Sequence, residues 1–163
     1  MKYRNLKVEL EKYGKLLEMK YKAQLKIDKT YASGDTADSI SYKAFPTRLN
    51  ILANESFNYI DDGRGNGKGP LVSSILEWMK AKKVRPRPTK KIRGSKEYQM
   101  KKSAFAISRV IAEKGTIERF SYQGSGIGGF VFSNIYQEFS KDVLDAYAED
   151  IKLHVKEQID KTK

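Results

Sequence analysis

The sequence predicts an α+β fold: long N- and C-terminal helices and two shorter helices packed on a small antiparallel β-sheet. Three observations carry this. Apolar residues recur at three- and four-residue steps at both ends of the chain, strict alternation runs between Ile40 and Ala53, and glycine- or proline-rich punctuation separates the segments.

From about Asn5 to Ile27, Leu6, Leu10, Tyr13, Leu17, Tyr21 and Leu25 fall on one helical face, with Lys and Glu opposite. Gly14 weakens that helix by about 1 kcal/mol relative to alanine. Ser33-Gly34-Asp35 punctuates it. Ile40, Tyr42 and Ala44, then Leu49, Ile51 and Ala53, alternate with polar or solvent-facing neighbours around Phe45-Pro46-Thr47, which predicts a hairpin with one face covered by helix. The stretch Asp61 to Pro70 is too rich in glycine to pack a core and reads as a loop. Pro70 suits the first position of a helix over Leu71–Lys83, with Val72, Ile75, Leu76 and Met79 as its stripe and Trp78 beside it. Arg85-Pro86-Arg87-Pro88 ends that helix. Ser103 is placed to cap a short helix from Ala104 to Lys114 that stops at Gly115. Ile117 to Tyr122 reads as a strand, Gly124 to Gly129 as a flexible loop, and Ile135 to Ile159 as a helix carrying Phe139, Val143, Tyr147, Ile151 and Val155 on one side.

The 163 residues suit a single domain, 1–163, able to bury roughly 70% of its unfolded surface. No run reaches the roughly 18 apolar residues of a membrane span, and charges interrupt the N-terminus too often for a signal peptide, so no membrane partner is expected. The absence of cysteine excludes disulfides and thiolate metal sites, and with the missing leader it predicts folding in a cytoplasm.

The net charge of +12 is concentrated. Lys80, Lys82, Lys83, Arg85, Arg87, Lys90, Lys91, Arg93, Lys96, Lys101 and Lys102 lie within one segment whose only acid is Glu97, leaving 21 basic and 19 acidic residues elsewhere. The body is nearly neutral and the segment carries +10, so a flexible basic insert at about 84–102 is expected. Such an arm neutralises phosphate or an acidic protein surface; the competing reading is an inert solvated linker. Tyr98 is its one aromatic, which argues against base stacking as the main mode of binding.

The chemical motifs fail individually. Gly67-Lys68 is followed by Gly69 rather than Ser or Thr, and Asp62 stands where a phosphate loop needs its first glycine. Gly124, Gly126 and Gly129 match a dinucleotide fingerprint as text, but no parallel strand and helix frame them. His154 stands alone on the last helix. Asp61-Asp62 reads as loop solvation, and Glu55, Asp61, Glu77 and Lys80 assemble a metal nuclease only on paper. No cofactor, metal or catalytic residue is expected.

The order of segments resembles the tail-completion and head–tail joining (neck) proteins of tailed bacteriophages. The motifs are Ser33-Gly34-Asp35-Thr36-Ala37-Asp38-Ser39-Ile40 leading into the hairpin, Tyr59 before Asp62-Gly63-Arg64, a proline-started helix with Ile75 and Trp78 followed by Lys82 and Lys83, and the helix end Ala104, Ile107, Ile111, Lys114-Gly115-Thr116. The chain departs from the family pattern in carrying Gly124 to Gly129 before the last helix, and a long basic stretch. The resemblance implies a non-enzymatic virion protein, made in the bacterial host cytoplasm and located in the neck or tail. It implies a homo-oligomeric ring of six or twelve copies that contacts portal or connector and tail proteins around a DNA channel. On that reading Asp62, Gly63, Arg64, Gly65, Gly67, Gly69, Gly124, Gly126, Gly128 and Gly129 form candidate inter-subunit loops, and the basic segment is a docking arm with non-specific DNA contact in the channel. The alternative is an accessory protein that binds nucleic acid without sequence specificity through residues 80–102.

Overall fold

A computed structural model describes residues 3–28, 34–86, 94–120 and 123–162. It is an α+β fold: seven helices and one antiparallel hairpin among the described residues. The described chain divides into two compact units, one of Met1–Ile27, Ala37–Asn54 and Ile127–Lys163, the other of Asp28–Thr36 and Glu55–Gly126.

The first unit is built on α1 (Arg4–Ile27). All six apolar residues of its expected stripe, Leu6 through Leu25, are buried. Each such burial stabilises by about 1.5–3 kcal/mol, which outweighs the weak pairs Lys7–Glu11, exposed, and Lys22–Glu18, half-buried. The short α2 (Asp35–Ser39) leads into β1 (Ser41–Phe45) and β2 (Arg48–Leu52), joined through Pro46-Thr47. Tyr42 pairs with Ile51 and Ala44 with Leu49, so the half-buried residues share one face, as alternation predicts. That face lies on α1. Gly14 gains its meaning here: a Cβ at this position would stand 2.3 Å from the Tyr42 ring. The lost helix propensity admits an aromatic ring against the helix backbone.

The helices α6 (Ile127–Ser133) and α7 (Tyr136–Lys161) complete this unit. Tyr21 donates its hydroxyl hydrogen bond to the Gly128 carbonyl, and the Tyr13 ring meets Phe139 edge-on at 5.1 Å. The expected loop over Gly124 to Gly129 is corrected. Gly128 and Gly129 lie in α6, whose Ile127 and Val131 are buried one turn apart and offset the glycines' poor propensity. The face of α7 is corrected too. Ile135, Ala146 and Asp150 are buried and Phe139 and Val143 half-buried, whereas Tyr147, Ile151 and Val155 are exposed. A run spaced by four overshoots a full turn by about 40° per step and so winds away from α1.

Asp150 is the one buried charged residue among those described, 2% exposed. Its two carboxylate oxygens accept the Asn5 and Leu6 backbone N–H groups at 3.1 and 3.0 Å. The first turn of α1 contains no acid of its own. Asp150 therefore supplies from α7 both the cap and the negative charge that a helix N-terminus favours. Nearby, Tyr13 and Lys12 donate to one oxygen of Asp142, each at 2.8 Å, and Lys12 also to Glu9 at 2.9 Å. The Lys12 ammonium, then the Tyr13 hydroxyl, hold the Asp142 carboxyl below the usual carboxylate range. Burial, then the bond to Asp142, pushes the Tyr13 phenol up to about 12. The folded state thus favours neutral Tyr13, a contribution complete below the unfolded value of about 10 and lost as pH rises from there to about 12. Alkaline titration followed by phenolate absorbance should show a late tyrosine ionising together with loss of helix; Tyr13→Phe should remove the component coupled to helix loss.

The second unit contains α3 (Glu55–Asp61), α4 (Val72–Ala81) and α5 (Lys96–Phe120). Its core is Ile75, Met79, Ala104 and Ile111, with Val72, Leu76, Val84, Met100 and Ile107 packed around them. Several boundaries differ from expectation. α3 has no counterpart in the sequence reading. Leu71 is the N-cap of α4, so Pro70 precedes the helix rather than starting it. α5 begins at Lys96, well before Ala104, because Met100 continues its apolar face one turn earlier. Gly115 does break it, with φ 69° and ψ −173°, but Ile117–Phe120 resumes as helix and is not a strand. Two apolar residues three apart, Ile117 and Phe120, do not distinguish the two. Ser33 and Tyr122 lie outside the described residues.

The end of α4 is a Schellman motif: Lys83 N–H donates to the Lys80 carbonyl at 3.1 Å and Val84 N–H to Met79 at 2.8 Å. Lys83 occupies its left-handed position with φ 52°, where glycine carries no Cβ penalty. Lys83→Gly is expected to raise stability by about 1 kcal/mol in a denaturant melt.

Candidate functional site

The second unit gathers the residues singled out by the sequence, starting with the glycine-rich loop. The loop from Asp62 to Pro70 is tied to α5 along its length. Arg64 N–H donates to Thr116 Oγ1 at 2.8 Å and its carbonyl accepts Thr116 N–H at 2.7 Å. Gly67 N–H donates to the Ala112 carbonyl at 2.8 Å, and Ser108 Oγ donates to the Pro70 carbonyl at 2.6 Å. Gly115 makes the first of these clasps feasible. It is buried, its φ is left-handed, and an added Cβ would stand 2.2 Å from the Arg64 carbonyl oxygen. The second glycine loop is held to the end of α3, where Ser125 and Gly126 N–H donate to the Ile60 and Asp61 carbonyls at 2.8 and 3.0 Å. The structure thus brings Asp62, Gly63, Arg64, Gly65, Gly67, Gly69, Gly124 and Gly126 into one unit, while Gly128 and Gly129 belong to α6 in the other.

Arg64 anchors this surface. Its guanidinium lies 4.4 Å from the centroid of the Tyr59 ring and donates to the Lys68 carbonyl. Tyr59 in turn donates to Glu55 at 2.6 Å, a bond that raises its phenol above the ordinary value. A cation over an aromatic face contributes about 0.5–1 kcal/mol at an exposed site. The arrangement presents a fixed arginine with part of its fork available, flanked by backbone held away from random-coil freedom. It can recognise a carboxylate, a phosphate or a carbonyl-rich edge.

The basic residues fall into three groups. Lys80, Lys82, Lys83 and Arg85 cluster at the end of α4 and just beyond it. Arg87, Lys90, Lys91 and Arg93 lie outside the described residues. Lys96, Lys101 and Lys102 are on the first turns of α5, which corrects the expectation that the insert is non-helical through residue 102. Lys101 pairs with Glu97 at 3.3 Å, and Lys102 sits 4.9 Å from the Tyr98 ring centroid.

One surface is absent from the sequence reading. Tyr98, Lys102, Phe105 and Arg109 recur at four, three and four residues on the outward face of α5, opposite Met100, Ile107 and Ile111. All four are exposed, Phe105 by 61%, so two aromatics and two cations alternate on this surface, with Arg109 paired to Glu113 at 2.7 Å. Treating the charged segment as a unit hides this stripe, because Phe105 and Arg109 lie outside it; helical spacing from Tyr98 onward reveals it.

The paper assembly of a nuclease does not form: among the described residues no three His, Asp or Glu side chains come together as a metal would require. His154 is half-buried on α7. A groove of about 510 Å³ in the first unit runs past Asn5, Val8, Glu9, Asp142, Asp145 and Lys152, but Glu9, Asp142 and Lys152 are engaged in ion pairs. No helix of the described residues is long and apolar enough to cross a membrane. Comparison with protein-family models, with curated proteins and with solved structures gives no match.

Proposed function

We propose that this chain is a structural virion protein of a tailed phage, one subunit of a closed ring at the head–tail junction that joins portal or connector to tail around the DNA channel. The observation that carries the reading is the ordered series of motifs, together with the way two of them lock. The Tyr59…Asp62-Gly63-Arg64 motif closes on the Lys114-Gly115-Thr116 helix end through Arg64 and Thr116, 52 residues apart, leaving the Arg64 guanidinium displayed on Tyr59. Loops held by their own backbone bonds are suited to presenting fixed contacts to a neighbour, since little ordering entropy remains to be lost on assembly. A ring of six or twelve copies uses one such surface repeatedly, as a heterologous contact that closes. Electron microscopy and native mass spectrometry of the full chain, alone and mixed with portal, connector and tail proteins, test this. A ring or an incorporated subunit is expected; a chain that stays monomeric and joins no particle overturns the reading.

A second reading, non-specific nucleic-acid binding, is favoured by the α5 stripe and the neighbouring lysines. Exposed aromatics interleaved with cations suit single strands, where bases stack and phosphates are neutralised. Titration of a single-stranded oligonucleotide at several salt concentrations should then give a log–log slope near about −0.7 per phosphate engaged. Phe105→Ala should weaken single-strand binding more than duplex binding. No binding at low salt eliminates this reading.

A further inference from the structure

The outward face of α7 is apolar and exposed, and among the described residues the stacking of the Tyr3 ring on Tyr147, centroids 5.9 Å apart, covers part of its N-terminal half. Leu144, Tyr147, Ile151, Val155 and Ile159 follow one another at steps of three and four, and their exposures run from 38% for Ile151 to 65% for Leu144. Beside this seam runs an edge of six exposed charges: Lys141, Asp145, Glu149, Lys152, Lys156 and Asp160. From the N-terminal end their signs read plus, minus, minus, plus, plus, minus. Read from the other end, every sign is inverted. The midpoint of this antisymmetry falls between residues 150 and 151.

Such an edge is complementary to itself in one arrangement only. When two identical helices pair antiparallel about a two-fold axis, each edge meets the same edge of the other helix, so residues equidistant from the midpoint face each other. Lys141 then faces the second copy's Asp160, Asp145 its Lys156, and Glu149 its Lys152, each pair occurring twice. Glu149 and Lys152 already bond within one helix at 2.5 Å, so four charges meet at the centre. The same midpoint interdigitates the seam, with Ile151 beside the second copy's Ile151 and Tyr147 beside its Val155. Sliding one helix by a turn destroys the match, setting Asp145 against Asp160 or Lys141 against Lys156. A parallel pair would place this edge against the opposite one instead of against itself, so its antisymmetry would not be matched.

We propose that α7 is a self-association surface whose occupant is the α7 of a second copy, paired antiparallel about a two-fold axis centred between Asp150 and Ile151. Combined with a cyclic ring, an isologous contact of this kind joins two rings back to back. The seam is short, which places the contact among weak, concentration-dependent interfaces.

The absence of cysteine makes the test clean. Ile151→Cys in the full chain should form an intermolecular disulfide on mild oxidation. Val155→Cys should not, because the two copies of residue 155 would stand about 13 Å apart along the axis, beyond disulfide reach. Sedimentation of the reduced chain at up to about 100 µM should show dimer formation that Asp145→Lys weakens roughly ten-fold, since one reversal breaks two symmetric pairs. The exchange Asp145→Lys with Lys156→Asp should restore it. Circular dichroism checks that each variant folds. A chain that stays monomeric, an oligomer in which the Val155→Cys variant cross-links better than the Ile151→Cys variant, or a double exchange no better than the single reversal overturns the proposal.

Discussion

Asp150→Ala is expected to destabilise the chain by about 3 kcal/mol, one of the two largest effects among single substitutions. Two buried or half-buried N–H groups at the start of α1 would lose a charged acceptor, and hydrogen bonds to charged groups contribute about 1.5–3 kcal/mol each. Part of that loss is offset because the carboxylate no longer has to be desolvated. Asp150→Asn keeps one acceptor oxygen without the charge and should cost about half as much. Denaturant melts followed by far-UV circular dichroism measure both. Amide exchange adds position: protection at Asn5 and Leu6 should fall before that of Tyr13 or Leu17. Equal stability of wild type and Asp150→Ala would mean that the cap contributes nothing.

Gly115→Ala should cost about 3 kcal/mol or more. The φ/ψ pair of 69° and −173° lies in a region that is essentially restricted to glycine and costs other residues about 1–3 kcal/mol. The 2.2 Å approach to the Arg64 carbonyl adds to this, because the obstacle is backbone and cannot rotate away. Relief requires the clasp between Arg64 and Thr116 to open, which would also release the guanidinium from Tyr59. Trp78, the only tryptophan, sits in the same unit and reports the unfolding by fluorescence. Thr116→Val, which removes Oγ1 but keeps the backbone bond, should cost only about 1 kcal/mol.

Some elements are legible in the sequence and others are concealed for identifiable reasons. α1 is readable residue by residue because it buries one face against a single side of the unit, so period and burial coincide. The hairpin is readable because Tyr42, Ala44, Leu49 and Ile51 alternate on both sides of a two-residue turn. α7 misleads because its run at every fourth residue looks like a single face while rotating steadily off it; the acid at Asp150, in register with Ala146, marks the true buried side. The start of α5 is obscured by lysines, although Met100, Ala104, Ile107 and Ile111 already carry the helical spacing. α3 has no fully buried residue and so leaves no strong pattern. For the site, Tyr59, Arg64 and the glycines can be named in advance, but not what the glycines do. A glycine that permits motion and a glycine that permits contact have the same spelling. Only the distance from Gly115 to the Arg64 carbonyl separates the two.

The first unit is assembled from three separated stretches of chain, with Glu55–Gly126 emerging between its hairpin and α6. The closing partner of α1 is α7, and their capping bond joins residues 144 positions apart. On a ribosome, therefore, α1 and the hairpin are translated long before the helix that closes on α1 exists, whereas the second unit, drawn mostly from consecutive residues, can condense as it appears. The part of the α1 stripe that α6 and α7 cover must wait while residues 55–126 are made, a window in which a chaperone or a wrong strand could engage it. Late closure of this kind also places the slow step of refolding at the meeting of the two ends, where loop-closure entropy is greatest.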